Sequence, residues 1–192
     1  MLLESKQQNQ FQVILFSDDS EESFPSRGVA VRYAREHAGG VLLRLEKNRV
    51  LTAYEILTNG TQTKFDWERN ELRKMEGDRK TFYGVFVRYG SKKAYRGPDI
   101  RTMLLKQIRT VDTDTLVCEH LWFTVRKRLA ALGALQAGDV LQFDARVDRY
   151  EKGYNGWRED VYKEHLTSFR LSFPTKVTKV TEEIPVNMAV NQ

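Results

Sequence analysis

Cysteine is nearly absent from this 192-residue chain. A single thiol, Cys118, cannot close an intramolecular disulfide, and with three scattered histidines it cannot build a zinc finger. Cys118 sits in an apolar stretch, which predicts a small buried hydrophobe and no nucleophile. Long apolar runs are missing too. None approaches membrane-spanning length, and the start, Met1 to Gln10, lacks the basic-then-apolar order of a secretion signal, so the expectation is a cytoplasmic protein with no membrane partner. There is no internal repeat or low-complexity tract. No Gly-rich loop ends in Lys-Ser/Thr, and neither His-Glu-x-x-His nor Gly-x-Ser-x-Gly occurs. Pro98-Asp99 begins a nuclease-like pattern that no later acidic-x-Lys triplet completes. Asp144 with Asp148, and Asp112 with Asp114, have the chemistry to hold a metal, but turn capping and a solvent-facing strand explain them equally well. The expectation is a protein without catalysis, resident metal or cofactor, with a metal-dependent nuclease as a distant rival.

What is present is a chain able to fold. Hydrophobic residues make up 41% and charged residues 30%, the range of globular proteins, and the length suits one compact barrel plus a smaller module. The net charge is +5 and it is unevenly spread. Residues 1–78 carry 11 Lys+Arg against 13 Asp+Glu, whereas residues 79–192 carry 20 against 13. The positive charge belongs to the second part, which points that part toward polyanions and assigns the two parts different roles.

In the first part, Phe11 to Phe16 reads as a strand and Asp18 to Glu22 as a solvated acidic loop. Val29 to His37 predicts a short helix closed by Gly39-Gly40, and Val41–Glu46 and Val50–Leu57 predict strands. Asn59-Gly60 before Thr61–Phe65 is a hairpin signal, since both turn residues tolerate positive φ. Asp66 is placed to cap a helix running to about Met75 and stopped by Gly77. Residues 1–78 are therefore read as a small α+β module, 79–180 as a second domain, and 181–192 as a tail.

The second part is more strongly punctuated. Thr81–Tyr89 is a β-branched and aromatic strand interrupted by Gly84, followed by a Lys, Arg, Gly and Tyr-rich loop from Gly90 to Pro98. Ile100–Arg109 and Leu116–Phe123 read as two more strands. Thr124 is placed to cap a helix with Val125, Leu129 and Leu132 on one face and Gly133 as its stop. After the Gly138-Asp139 turn, Leu141, Phe143, Ala145 and Val147 alternate with Gln142, Asp144, Arg146 and Asp148, which is a half-buried strand. A wet loop from Tyr150 to about Asp160 leads to a fifth strand with Phe169, Leu171 and Phe173 on one face.

Three strands, a short helix and two strands, with a glycine in the first strand and a Gly-Asp turn before the fourth, resemble the OB-fold over residues 79–180. The resemblance implies a mostly β protein with a five-stranded barrel. It further implies nucleic acid crossing strands two and three, flanked by the loops joining strands one to two and four to five. The first loop and its flanks hold Arg88, Tyr89, Lys92, Lys93, Tyr95, Arg96 and Arg101 against Asp99 alone, a net +4. Cations offset phosphate repulsion and aromatic faces stack on bases, a mixture suited to single-stranded DNA or RNA. The second loop and its flanks add Arg146, Arg149, Lys152, Tyr154, Trp157 and Arg158, whose charge nearby carboxylates nearly cancel. Trp122 and His120 share a strand face with Leu116 and Cys118. Either this set or Val117, Glu119, Leu121 and Phe123 forms the core, and Trp122 reads as a half-buried packing residue, with a stacking platform as the alternative. Arg126, Lys127 and Arg128 load the helix start with positive charge. The expected function is non-catalytic binding of single-stranded nucleic acid. The alternative is an adaptor or inhibitor whose basic barrel surface holds an acidic protein, with the N-terminal module engaging a partner of its own.

Overall fold

Ten strands account for most of the residues described by the computed structural model, 10–153 and 165–180. The chain forms two compact units. Among the described residues, one comprises 10–67 with 150–153 and 165–168, and the other comprises 68–149 with 169–180. No helix among the described residues is long and apolar enough to cross a membrane.

In the first unit, β1 (Gln10–Leu15), β2 (Glu21–Phe24), β3 (Gly40–Glu46), β4 (Arg49–Ile56) and β5 (Gln62–Phe65) pair antiparallel in the order β2-β1-β3-β4-β5. The helix α1 (Arg27–Glu36) buries Ala30 and Ala34 against Val13, Leu15, Leu42 and Ile56. Small residues on its inner face let the helix lie close to the sheet. Ser26 caps its start, accepting from the Val29 N–H, and Gly39 closes it at φ +91° by donating to Ala34 O.

The Asn59-Gly60 hairpin forms as expected. Gly60 takes φ +89°, and the Asn59 side chain accepts from the Thr61 N–H at 2.9 Å. Two expectations are corrected. The acidic run is not all loop, because Glu21 and Glu22 enter β2 opposite Ile14 and Val13 with their side chains exposed, so charge and strand do not conflict. Asp66 does not cap a helix running to Met75. Its carboxylate instead accepts from Lys152 Nζ at 2.8 Å and Ser168 Oγ at 3.1 Å, and only a 3-10 turn (Trp67–Arg69) and the four-residue α2 (Asn70–Arg73) follow.

The second unit contains β6 (Arg79–Lys92), β7 (Ile100–Thr110), β8 (Leu116–Thr124), α3 (Lys127–Ala130) and all but the ends of β9 (Val140–Lys152) and β10 (Leu166–Val180), whose residues 150–152 and 166–168 belong to the first. The hydrogen-bonded order is β10-β9-β6-β7-β8. Phe82, Met103, Leu105, Ile108, Leu141, Phe143 and Phe169 are fully buried and form its interior. The alternation along β9 is realised, with Leu141, Phe143, Ala145 and Val147 all inside. Gly84 marks a break in the β6–β7 register, and a Cβ there would press on Ile108 Cγ1 at 3.0 Å. Gly138 adopts φ +99°, and the Asp139 carboxylate accepts from the Gln136 N–H, which locks the turn into β9.

Three readings of this unit change. Thr124 ends β8 rather than capping a helix. α3 is only four residues long and starts after Arg126, which makes no side-chain capping bond, so the helix is shorter than read while its start keeps the basic residues Arg126, Lys127 and Arg128. Phe173 does not join the buried row of Phe169 and Leu171, because it turns to φ +51° and is 70% exposed. Neither expected set of β8 is core throughout: Val117, Cys118, Leu121 and Phe123 are buried and Glu119, His120 and Trp122 exposed, the alternation breaking where the β7–β8 register shifts.

Cys118 is buried as expected, and burial pushes its thiol up to about 12. A thiolate-directed reagent is therefore expected to leave the native protein unlabelled and to modify one thiol once denaturant unfolds it. Stoichiometric labelling at native rates comparable to a free cysteine is the opposing result.

Candidate nucleic-acid interface

The candidate residues are sorted by the pleat of β6, β7 and β8. Cross-strand partners place Arg88, Leu104 and Trp122 in one row and Gly90, Thr102 and Thr124 in the next. Lys106 and His120 form a third row. Between them lie the rows of opposite orientation, including Tyr89–Met103–Phe123, whose Met103 and Phe123 are buried. Successive side chains on a strand point to opposite faces. Arg88 and Trp122 therefore share the outer face, while Tyr89 and Arg101 belong to the inner one. A bulge between Phe86 and Arg88 sets this division, because the extra residue, Val87, shifts the phase of everything beyond it.

On the outer face, the Arg88 guanidinium reaches across Leu104 to lie 5.0 Å from the ring centroid of Trp122, which is 46% exposed. The indole lies over Gly90. A Cβ there would stand 2.9 Å from Trp122 Cζ3 and 3.1 Å from Cη2, closer than packing allows. On the inner face, the Arg101 guanidinium lies 3.7 Å from the Tyr89 ring centroid, and Tyr89 in turn packs 4.9 Å from Phe86. Among the described residues neither guanidinium has a carboxylate within ion-pair distance. At the hairpin tip, Tyr95 is 97% exposed with Arg96 near its ring at 5.6 Å, and Lys93 pairs with Asp99 at 3.2 Å.

The cations assigned to the second loop stand differently. Arg149 is gripped by both oxygens of Glu76, with contacts of 2.7 to 3.0 Å, and its guanidinium also lies 5.4 Å from the Phe169 ring centroid. Lys152 is held by Asp66, both within the first unit. Arg146 lies opposite Arg79 across β6–β9 and meets Asp148 at 3.4 Å. Tyr154, Trp157 and Arg158 lie outside the described residues. The structure thus gathers Arg88 with Trp122, and Tyr89 with Arg101, and does not bring Arg146, Arg149 or Lys152 into either stack.

The carboxylates singled out from sequence are engaged elsewhere. Asp144 accepts from Thr81 Oγ1 at 2.7 Å and pairs with Lys176 at 2.9 Å, bonds that hold its carboxyl below the usual range. Asp112 meets Lys80, and Asp114 accepts from the Tyr83 hydroxyl and pairs with Arg109. Burial and that hydrogen bond raise the Tyr83 phenol to about 12. Among the described residues no three His, Cys, Asp or Glu side chains gather as metal ligands.

Gly90, Leu104 and Thr102 were not legible as site residues. Glycine two places after Arg88 was a usable sign, since a missing side chain on a strand marks a close approach by a neighbour. Replacing Gly90 by valine is expected to lift the indole off the sheet while leaving the thermal midpoint nearly unchanged. Acrylamide quenching of Trp122, in a background with phenylalanine at Trp67 and Trp157, reads this directly, and quenching identical to the parent would refute it. Comparison with protein-family models, curated proteins and solved structures finds no match to this chain.

Proposed function

We propose that the second unit is an OB-type barrel that binds single-stranded nucleic acid, without catalysis, on the outer face of β6, β7 and β8. The observation that carries this reading is the Arg88–Leu104–Trp122 row: a half-exposed indole and a guanidinium that meets no carboxylate among the described residues, side by side on one sheet face. The strand order supports it. β10-β9-β6-β7-β8 with a helix between β8 and β9 is the order of an OB barrel opened between its third and fifth strands, and such barrels are often partly open. Strands β7 and β8 then correspond to the ligand-binding strands two and three. Indole stacking tolerates any base, and a cation beside it neutralises the passing phosphate, so the pair favours unpaired bases over a closed duplex.

The test is titration of fluorescent oligonucleotides with nuclease-treated protein at several salt concentrations. Binding that weakens steeply with salt is expected, and joint replacement of Lys92, Lys93 and Arg96 by glutamate is expected to weaken it further. Absent or salt-insensitive binding would overturn the reading.

A further inference from the structure

The two cation–aromatic stacks lie on opposite faces of the sheet, and between them β6 has an edge that no other described strand pairs with. β6 pairs with β9 only over Arg79–Val85, and the next backbone bonds, Phe86 N–H to Asp139 O and Gly138 N–H to Phe86 O, end its cover on that side. Beyond Phe86, β6 is paired with β7 alone among the described residues, as far as Lys92. β7 is flanked by β8 over the same stretch, so among the described residues the open edge is that of β6. Following the row outward from β8, a ligand meets Trp122, then Leu104, then Arg88 at that edge. The next residue, Tyr89, faces the other way under the Arg101 guanidinium.

Resting on the reading above, we propose that one nucleic-acid strand crosses the outer face from Trp122 to Arg88, folds over the bare edge of β6, and sets a further phosphate on Arg101 at the opposite face. Arg101 suits this role. It is exposed, is held against Tyr89 with no carboxylate partner among the described residues, and presents donors to a ligand that has rounded the edge. Neighbouring strands are about 4.8 Å apart, so the path spans three strands and a sharp turn within a few nucleotides. A single strand can make that turn. A duplex, with a persistence length of about 150 base pairs, cannot. The wrap therefore selects single strands by flexibility and requires a minimum length.

The experiment compares Arg88→Ala and Arg101→Ala in the full chain, by fluorescence anisotropy, with oligothymidylates of about 4 and about 16 nucleotides and with a duplex of the longer length. Arg88→Ala is expected to weaken both single strands. Arg101→Ala is expected to weaken only the longer one, by roughly tenfold, and to lower the magnitude of its log–log salt slope by about 0.7, one phosphate contact. A crosslinking oligonucleotide with photoreactive uracils is expected to label Trp122 and Tyr89 from separate positions on one strand. If Arg101→Ala has no effect at either length, or equal effects at both, the wrap is overturned while the outer-face site stands; if the duplex binds as tightly as the single strand, both the wrap and the single-strand reading are overturned. If Trp122→Ala leaves all binding unchanged, the underlying reading fails and the wrap fails with it.

Discussion

Alanine at Trp122 is expected to weaken binding of single-stranded oligonucleotides by about 5- to 150-fold, the worth of one stacked base at roughly 1 to 3 kcal/mol. The indole is uncharged, so the salt slope is expected to stay at the parent value, whereas Arg88→Ala is expected to reduce it by about 0.7. The two side chains touch, and their effects are therefore expected to combine non-additively in a double-mutant cycle. Anisotropy titrations at three salt concentrations separate the stacking loss from the charge loss. Folding is expected to survive, because Trp122 is nearly half exposed and the buried side of β8 belongs to Val117, Leu121 and Phe123. A Trp122→Ala protein that binds as the parent does would place the ligand elsewhere.

Phe143→Ala is expected to cost about 3 to 5 kcal/mol of folding free energy, a large share of the 5 to 15 that a domain has. Phe143 is 1% exposed, meets Phe123 edge-on at 5.3 Å and lies 6.3 Å from Phe82, so its removal empties a space walled by three strands. Urea denaturation followed by far-UV circular dichroism measures the loss as a lower midpoint. A loss under about 1 kcal/mol would mean that the ring does not hold β6, β8 and β9 together. Set beside Trp122→Ala, the pair separates a residue that builds the unit from one that acts on its surface.

Local chemistry made much of the architecture readable. The alternation from Leu141 to Val147, the Asn59-Gly60 turn and the glycine at position 84 each express a preference that one stretch of chain can satisfy alone. The errors arose where distant residues decided. Asp66 has the composition of a helix cap, yet its carboxylate is claimed by Lys152 and Ser168, far along the chain. Thr124 has the same composition and is held instead as the last residue of β8, opposite Thr102. The site was legible as a list and not as an arrangement. Charge counting marked Arg88 to Arg101 as one basic turn, but a bulge at Val87 assigns its arginines to two faces, and nothing in the residue types announces that bulge. Arg149 was legible as a cation, while its match to Glu76, 73 residues away, was not.

The return of Tyr150–Ser168 to the first unit has a consequence for the order in which the protein is made. The pairing of Phe65 with Thr167, the bond from Asp66 N–H to Thr167 O, and the grip of Lys152 and Ser168 on Asp66 all await residues translated about a hundred positions after β5. A nascent chain that has released β1 to β5 from the ribosome has therefore not finished its first unit. Strands β6 to β9 emerge during that interval, so the earliest part of the sequence is among the last to be secured.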